Sequence, residues 1–366
     1  MTTNNTTILI MAAGTGGHVF PALAIARKLS EQGVEIHWLA TESGMENQLL
    51  AGAGYKLHRI SVKGLRGKGL VKMVLAPFMI IAATLQSLSV IRQVKPSCVL
   101  GMGGYITGPG GLAAKLKGVP LMIHEQNAVA GLTNRLLGKL ADKIFEAFPA
   151  TFKNSDKVIF TGNPVRAEIT ALFVEVKERS PEQPLHLLVL GGSQGAAAIN
   201  SAVPLLLNNW GENQRPYIWH QTGKAGLENT HNKYATAGIA LGDNCRVDAF
   251  IDDMAAAYKW ADVVICRSGA STVSELAVAG LPALFVPYPY HKDRQQTLNA
   301  EWLSNAGAAY IVQQAELSIE EITKIFHRFS DDREELSLMS ARGKAIAVND
   351  ASDRIADYLL EVAADV

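Results

Sequence analysis

The sequence predicts an α/β fold of two Rossmann-like domains, each a parallel sheet covered by helices, that face each other across a cleft. Strand-like apolar runs alternate with helical patterns over most of the 366 residues, which is typical of βαβ units. Two of these runs open alike, because residues 8–13 and residues 187–190 both lead directly into glycine-rich turns. The length also suits two domains of ordinary size.

The strand-like runs follow one another in order. In the first half they cover residues 8–11, 35–40, 56–60, 98–100, 121–124 and 143–148. The rhythm pauses near Thr161-Gly162-Asn163-Pro164, where glycine and proline interrupt regular structure. It resumes with residues 186–190, 217–221, 246–250, 262–266 and 283–286, and the tail is helical in pattern. We expect domains at residues 1–163 and 164–344, and a final helix, about residues 345–366, that packs back on the first domain.

Composition and charge limit the classes of partner. Hydrophobic residues make up 48% of the chain, and basic and acidic residues number 34 each. Without a net charge there is no overall field to recruit nucleic acid, so an anionic ligand must be held by local geometry. The three cysteines, Cys98, Cys245 and Cys266, form no Cys-x-x-Cys pair, and the amino terminus lacks the layout of a secretory signal. We therefore expect a cytoplasmic protein with buried thiols.

Three glycine clusters follow predicted strands, at residues 14–17, 101–111 and 191–195. Glycine permits positive φ and close backbone approach, so such turns can direct amides and a helix N-terminus at phosphate. A tight connection without a ligand is the alternative for each cluster. Val19 and Ile106 stand where a dinucleotide fingerprint has its third glycine, and no P-loop ending in Gly-Lys-Ser/Thr occurs. The pattern favours a phosphate-bearing ligand over NAD or ATP.

An uncharged apolar run covers residues 73–85. It is too short to span the ~30 Å hydrocarbon core of a bilayer. On a helical wheel Leu75, Phe78, Ala82 and Leu85 share one face, while Val74, Ile81 and Leu88 occupy another. The basic residues that flank the run would favour an anionic surface: Lys63, Arg66, Lys68, Lys72 and Arg92. The run is interpreted as a membrane-docking helix, with a buried crossover helix as the alternative.

Seven short motifs occur in order along the chain. They are Gly14-Thr15-Gly16-Gly17-His18-Val19-Phe20-Pro21, Gly101-Met102-Gly103-Gly104-Tyr105, His124-Glu125-Gln126-Asn127, Gly162-Asn163-Pro164-Val165-Arg166, Gly191-Gly192-Ser193-Gln194-Gly195, Arg267-Ser268-Gly269-Ala270 through Ser274-Glu275, and His291-Lys292-Asp293-Arg294-Gln295-Gln296. Together they resemble the MurG family of N-acetylglucosaminyltransferases of peptidoglycan synthesis, over essentially the whole chain. Each motif alone is weak, but the combination is specific.

This resemblance implies the GT-B fold and the inverting transfer of GlcNAc from UDP-GlcNAc to the 4-hydroxyl of MurNAc-pentapeptide on undecaprenyl pyrophosphate. It implies a first domain on the acceptor and membrane side and a second domain that binds UDP-GlcNAc. The implied partners are these two substrates, an anionic membrane surface and other cell-wall synthesis proteins, with no cofactor and no nucleic acid. The implied location is peripheral, on the cytoplasmic face of the bacterial inner membrane.

The chemistry requires a base for the acceptor hydroxyl and stabilisation of the departing UDP. His18 is the first choice for the base, because an imidazole titrates near neutrality. Its alternative role is a hydrogen bond at the helix end. Glu125 is the rival base, and its alternative is a structural partner for a neighbouring loop. Since no Asp-x-Asp clamp occurs, we expect no metal, and helix dipoles, amides and Arg166 must stabilise the leaving group.

Binding roles come mainly from the resemblance. The residues expected to bind the donor are Thr15, Gly16, Gly17, Asn127, Arg166, Ser193, Gln194, Ile251, Ala270, Ser271, Thr272, Val273, Ser274, Glu275, Gln295 and Gln296. Within this set Ile251 is expected to pair with uracil through its backbone, and Glu275 to accept from the ribose hydroxyls. Ser271 stands where we expect Leu in the family. The residues expected on the acceptor and membrane side are Gly103, Gly104, Tyr105, Leu75, Phe78, Met79 and Ala82.

Two other functions stay open at this point. A UDP-GlcNAc 2-epimerase also joins two Rossmann-like halves around a UDP-sugar, although the apolar run argues against a purely soluble substrate. A non-catalytic nucleotide-sugar-binding subunit is the other alternative, and His18, Glu125 and Asn127 argue against it. The donor and acceptor requirements of the reaction distinguish the three.

Overall fold

The chain forms two compact units. The computed structural model describes residues 6–62, 70–174, 183–192, 195–210, 215–291 and 293–365. The first unit comprises Met1–Arg166 together with Asp350–Val366, and the second comprises Ala167–Asn349. Each unit has its own hydrophobic clusters, and each is built around one parallel sheet.

The first unit contains a seven-stranded parallel sheet in the order β3-β2-β1-β4-β5-β6-β7. Its strands are Thr7–Met11 (β1), Glu35–Thr41 (β2), Lys56–Ile60 (β3), Cys98–Gly101 (β4), Leu121–Glu125 (β5), Lys143–Glu146 (β6) and Val158–Phe160 (β7). The helices between them are Gly16–Glu31 (α1), Glu46–Leu49 (α2), Leu70–Val94 (α3), Gly104–Leu116 (α4) and Leu132–Leu137 (α5). The central strands are largely apolar and buried because helices cover the sheet on both faces, although β5 ends in the buried polar residues His124 and Glu125.

The second unit contains a six-stranded parallel sheet in the order β10-β9-β8-β11-β12-β13. Its strands are His186–Leu190 (β8), Tyr217–Gln221 (β9), Cys245–Asp248 (β10), Val263–Cys266 (β11), Ala283–Phe285 (β12) and Ala309–Ile311 (β13). Its helices are Ala167–Thr170 (α6), Ala197–Asn208 (α7), Leu227–Thr236 (α8), Met254–Trp260 (α9), Ala270–Ala279 (α10), Gln295–Asn305 (α11), Ile319–Asp331 (α12) and Arg333–Ile346 (α13).

Both sheets have the strand order of a Rossmann fold, 3-2-1-4-5-6 when the strands are counted within each unit, with β7 added at one edge in the first unit. The prediction of two Rossmann-like domains is therefore confirmed. The sequence pattern missed β7 and β13. Each has only three residues and is the edge strand of its sheet, so its apolar pattern is too short to identify a strand from the sequence.

The last helix returns to the first unit. Helix α14, Ala351–Ala364, packs against α1, and its buried residues Ile355, Ala356 and Leu359 join the cluster formed by the strands and α1. The Cys98 thiol on β4 also donates to the Leu359 carbonyl at 3.7 Å. The first unit is thus completed by residues almost 200 positions after its last strand.

Candidate active site

The glycine motifs lie at the switch point of each sheet, where the strand order reverses. In the first unit β1 and β4 are neighbours, and each is followed by a glycine turn with positive φ, at Gly14 and at Gly103-Gly104. In the second unit β8 and β11 are neighbours; β8 leads to the turn around Gly192 and β11 leads to α10. Open α/β sheets bind ligands outside the carboxyl ends of strands at this point.

The His18 side chain lies against the second glycine turn. A Cβ built on Gly103 would be 3.1 Å from Cε1 of His18, and one on Gly104 would be 2.9 Å from the Ala13 carbonyl oxygen. Both glycines also have φ values that other residues rarely adopt, +91° and +79°. The two turns therefore bring the half-buried imidazole and the backbone of the second turn into one place. The Tyr105 ring lies near the same place, beside Gly14.

The imidazole of His18 is part of a chain of hydrogen bonds. Its Nδ1 lies 2.8 Å from Oε1 of Gln126, and Nε2 of Gln126 lies 2.9 Å from Nδ1 of His124. The Nε2 of His124 lies 3.1 Å from the carbonyl oxygen of Gly162. Complete burial lowers the pKa of His124 to about 4, so this ring is neutral at physiological pH.

Glu125 does not resemble an available base. Its Oε1 accepts from the backbone and side chain of Asn127, at 3.1 and 3.2 Å. Its Oε2 accepts from the Gly131 amide and from Nδ2 of Asn134, at 3.0 and 2.9 Å. The carboxylate is only 2% exposed. The geometry is that of a clamp on the loop after β5, which was the structural alternative for this residue, and its two oxygens accept four hydrogen bonds.

The first glycine turn already holds a carboxylate. The buried side chain of Glu46, at the start of α2, accepts from the Gly14 amide at 3.3 Å and from the Thr41 amide at 2.9 Å. A negative charge at this position opposes a phosphate on the same amide. Thr15 and Gly17 are exposed beside it and Gly16 is half-buried. The Gly14 amide is thus already bonded within the protein, and phosphate binding by this turn stays a prediction.

In the second unit, the first turn of α10 presents backbone amides. Gly269 caps the helix, and the Val273 amide is already bonded to its carbonyl, which leaves the amides before it directed outward. Just before the helix, the Ser268 hydroxyl is fully buried without a hydrogen-bond partner among the described residues, and Nδ2 of Asn299 donates to the Ser268 carbonyl at 3.2 Å. Of the residues expected to bind the donor here, Ala270, Val273 and Ser274 are buried, whereas Ser271 and Thr272 are half-buried.

Glu275, one turn further along α10, has a defined partner. The Tyr258 hydroxyl on α9 donates to its Oε2 at 2.9 Å. Tyr258 is buried and Glu275 is half-buried, so the tyrosine holds the carboxylate from inside while part of it faces solvent. An oriented, part-exposed carboxylate can accept from ligand hydroxyls.

Ile251 lies outside the strand in which it was predicted. Strand β10 ends at Asp248, and the amide of Ile251 donates to Oε1 of Gln221 at 3.1 Å. The amide is thus occupied within the protein, and Ile251 itself is buried beside the exposed Phe250. The expected backbone pairing of Ile251 with uracil stays a prediction.

The remaining predicted residues occupy several positions. Helix α11 starts at Gln295, and Oε1 of Gln296 accepts from the Tyr288 amide at 2.9 Å. Arg166 is half-buried and is the last residue of the first unit. Ser193 and Gln194 lie outside the described residues, and α7 begins after them, at Ala197. Among the residues that the structure describes, no group of three His, Cys, Asp or Glu could hold a metal ion.

Family models match both units. The N-terminal domain of glycosyltransferase family 28 matches residues 8–146, and the C-terminal domain of that family matches residues 186–355. A relative from Azotobacter vinelandii is 50% identical over 97% of this chain and 98% of its own length. This chain belongs to glycosyltransferase family 28, and within it to the MurG family.

Other comparisons agree with this family. A relative from Pseudomonas putida strain GB-1 is 48% identical over 99% of both chains. Both relatives carry the name UDP-N-acetylglucosamine--N-acetylmuramyl-(pentapeptide) pyrophosphoryl-undecaprenol N-acetylglucosamine transferase. The crystal structure of Acinetobacter baumannii MurG matches with a TM-score of 0.83 and 40% identity, covering 97% of this chain and 99% of that one. A UDP-GlcNAc 2-epimerase from Neisseria meningitidis matches at 16% identity with a TM-score of 0.67, which shows the fold alone.

In this family member the apolar run belongs to the long helix α3. The helix continues from Leu70 to Val94, and its segment Leu75–Val94 is long and apolar enough, by length and composition, to cross a membrane. The helix is therefore longer than the apolar run at residues 73–85. However, α3 packs against α4 and buries Ala83, Ser87 and Ile91, which holds it to the first unit.

The opposite side of α3 is apolar and exposed. Phe78 is 67% exposed, Leu85 is 61% exposed and Ile81 is 56% exposed, so residues from both faces of the helical wheel are exposed. Of the other residues expected to contact a membrane, Leu75 and Ala82 are exposed and Met79 is half-buried. Leu112 and Leu116 on α4 are exposed apolar residues as well. Lys63, Arg66 and Lys68 lie outside the described residues, whereas Arg92 is exposed.

Sequence reasoning missed four residues that organise the MurG-family site. They are Glu46, Gln126, Gln221 and Tyr258. Only Gln126 stood inside a quoted motif, and each of the other three bonds to a residue at least 17 positions away, so the local sequence does not reveal its partner. A buried polar residue within a predicted strand, such as Gln221 at the end of β9, is the sort of signal that would identify such partners.

Proposed function

We propose that this protein transfers GlcNAc from UDP-GlcNAc to the 4-hydroxyl of MurNAc-pentapeptide on undecaprenyl pyrophosphate. The observation that carries this proposal is full-length identity near 50% to relatives named for this transfer. The site supports it with a half-buried imidazole at the switch point of the first unit and a helix N-terminus at that of the second. Both substrates carry diphosphates, and neither requires a redox or carbanion cofactor.

The donor is bound by the second unit. The outward amides at the start of α10 and the positive end of the helix would hold the diphosphate, with the buried Ser268 hydroxyl behind them. Glu275, oriented by Tyr258, would accept from the ribose hydroxyls. The carbonyl oxygen of Ile251 would accept from the N3–H of uracil. Ser193, Gln194, Gln295, Gln296 and Arg166 remain proposed contacts to phosphate and sugar.

The acceptor is bound by the first unit, and His18 is the proposed base. The imidazole removes the proton from the 4-hydroxyl as the oxygen bonds to the anomeric carbon of GlcNAc. The bond from that carbon to the UDP oxygen breaks at the same time, and the electron pair leaves with UDP. Attack from the side opposite the leaving group inverts the anomeric configuration. The backbone of Gly103 and Gly104, together with Tyr105, would face the lipid-linked substrate near its pyrophosphate.

The exposed side of α3 is the proposed membrane contact. Leu75, Phe78, Ile81 and Leu85 form an apolar strip on a helix that is anchored to the sheet by its other side. Partial burial in the interface of a bilayer is typical of such helices, and exposed basic residues such as Arg92 add attraction to anionic lipids. The protein would then be peripheral on the cytoplasmic face of the inner membrane, where its lipid-linked acceptor resides.

Substrate dependence tests the proposal. Purified protein is incubated with UDP-GlcNAc alone, and then with UDP-GlcNAc and lipid-linked MurNAc-pentapeptide, and both UDP and sugar products are measured. We expect release of UDP only when the acceptor is present. UDP-GalNAc and UDP-glucose are tested as alternative donors. Because proteins of the same fold include UDP-GlcNAc 2-epimerases, the sugar is also checked for epimerisation in the reaction without acceptor. Epimerised sugar there would contradict the proposal. UDP binding with no product would instead indicate a binding subunit.

A further inference from the structure

The chain of hydrogen bonds behind His18 has a direction. At one end is the Gly162 carbonyl oxygen, which can only accept, so Nε2 of His124 must carry the proton in their 3.1 Å bond. The neutral ring then has a bare Nδ1, and this atom accepts from the Gln126 amide nitrogen at 2.9 Å. Protonation of His124 would break this order, but burial keeps the pKa of the ring at about 4.

A second carbonyl fixes the same direction independently. The amide nitrogen of Gln126 also lies 3.2 Å from the backbone oxygen of His124, which again can only accept. The amide of Gln126 is therefore oriented with its nitrogen towards His124 and its oxygen towards His18. An amide oxygen cannot donate, so in the 2.8 Å bond the proton must be on Nδ1 of His18.

We propose that Gln126 and His124 are positioning residues that hold His18 in its Nδ1–H tautomer, which leaves Nε2 unprotonated and available to accept the acceptor's proton. This inference rests on the proposed function of His18 as the base. No described residue hydrogen-bonds to Nε2 of His18. The tautomer of a histidine is set by the hydrogen bond of its other nitrogen, and a base with the wrong tautomer presents an N–H to the group that it should deprotonate.

The packing of the ring supports the same role. The imidazole occupies space that the missing side chain of Gly103 leaves open, because a Cβ added there would lie 3.1 Å from Cε1 and 3.3 Å from Nδ1 of His18. In this hydrogen-bond relay His124 lies on β5 and Gln126 follows it in the loop, whose backbone is held by Glu125 through the amides of Asn127 and Gly131. Glu125 thus supports the base indirectly, through the loop that carries Gln126.

The test separates the acceptor function of Gln126 from its bulk. In Gln126→Leu the side chain fills a similar space but cannot accept from Nδ1 of His18. In Gln126→Glu a carboxylate oxygen can still accept from it. We expect kcat to fall about 10–100-fold in Gln126→Leu, which is part of the ~10²–10⁴-fold that a general base contributes. In Gln126→Glu the loss of kcat should be smaller, at most half of that in Gln126→Leu on a logarithmic scale. The KM for UDP-GlcNAc should change less than twofold in both.

The tautomer itself is measured without substrate. Two-bond ¹H–¹⁵N correlation spectra of protein labelled at histidine report which ring nitrogen carries the proton, and the His18 signals are identified by their loss in His18→Ala. We expect Nδ1–H for His18 in the wild type and in Gln126→Glu, and a population of Nε2–H in Gln126→Leu. His220→Gln, which removes a buried histidine of the second unit, is the matched control and should leave the His18 signals unchanged.

An Nε2–H tautomer of His18 in the wild-type protein would overturn the inference, and so would equal kcat losses in Gln126→Leu and Gln126→Glu with native melting temperatures. Since the spectra need no substrate, they are independent of the proposed reaction. A wild-type protein that transfers GlcNAc but shows Nε2–H contradicts only the relay. A protein with Nδ1–H that releases no UDP contradicts only the proposed reaction.

Discussion

Three histidines show how the same side chain takes different roles at the residue scale. His124 and His220 are fully buried, and burial lowers their pKa values to about 4 and about 3. Each is held within its unit, His124 by Gly162 and Gln126, and His220 by Tyr234 and Asn200. His18 is half-buried in the first turn of α1, with one nitrogen bonded inside the protein. Only His18 combines an inner anchor with access to a ligand.

Replacement of His18 tests its role directly. His18→Ala should lower kcat by ~10²–10⁴-fold, because the transition state loses its proton acceptor. UDP affinity should stay the same, since the proposed donor site belongs to the second unit. Steady-state kinetics with lipid-linked acceptor and calorimetry with UDP measure the two quantities. His231→Ala, at a half-buried histidine on α8, is the control; a loss below tenfold in His18→Ala would assign the imidazole to binding.

Glu275 and Tyr258 form the corresponding pair in the second unit. Glu275→Ala should weaken UDP binding by ~1.5–3 kcal/mol through loss of a charge-assisted hydrogen bond. Tyr258→Phe should weaken it by a smaller amount, about 0.5–1.5 kcal/mol, because the carboxylate remains but loses its 2.9 Å anchor. Isothermal titration calorimetry with UDP measures both. Unchanged affinity in Glu275→Ala would remove this carboxylate from the donor site.

Helix α3 is the element whose two sides differ most. Its inner side is made of small or branched residues, Ala83, Ser87 and Ile91, which allow close packing on the first unit. Its outer side consists of large apolar residues that are more than half exposed, such as Phe78 and Leu85. A helix that only connected two strands would gain nothing from exposed phenylalanine. The asymmetry fits a helix that is bound to protein on one side and contacts lipid on the other.

A charge on the outer side of α3 should therefore affect membrane binding and leave the fold intact. Ile81→Glu should reduce binding to vesicles that contain phosphatidylglycerol by about 10–100-fold, the equivalent of losing the burial of one large aliphatic side chain. Vesicle sedimentation measures the binding, and the melting temperature should be unchanged because Ile81 is exposed. Leu338→Glu, at an equally exposed leucine of α13, is the control. Equal binding by all three proteins would exclude α3 as the contact.

At the scale of the whole molecule, the chain leaves the first unit at Arg166 and returns to it at Asp350. The second unit is thus inserted between the first seven strands and the helix that completes their core. Leu359 on that helix is fully buried among residues of β1, β2 and α1. The stability of the first unit consequently depends on residues translated last.

Leu359→Ala tests this dependence. Its free energy of unfolding should fall by ~2–5 kcal/mol in the first unit, through lost burial and the cavity left behind. UDP affinity should be retained under conditions where both units are folded. Thermal unfolding followed with and without UDP distinguishes the units, and Asp357→Ala, an exposed position on the same helix, is the control. A loss of UDP affinity in folded Leu359→Ala would contradict this division between the units.

The candidate site could be predicted only in part. Glycine clusters were expected after three strands, and the structure has glycines of positive φ there, at Gly14, Gly103 and Gly192, because local conformational freedom is encoded locally. Residues 104–111 of the second cluster belong to α4. The partners of the buried polar groups were not foreseeable. Gln126 is 108 residues from His18, and Glu46 is 32 residues from Gly14. No sequence periodicity relates such positions. The hydrogen bonds that engage the Gly14 amide and the Glu125 carboxylate could therefore not be predicted from the sequence.

The sequence by itself determined that two parallel sheets form, because alternating apolar runs of strand and helix length leave few other ways to bury them. Its motifs also determined the family. Only the tertiary structure showed which atoms of the two candidate groups, His18 and Glu125, already have hydrogen-bond partners within the protein. The physical reason is that a hydrogen-bonding group is either satisfied or available according to its neighbours in space, and folding brings those neighbours from distant parts of the chain.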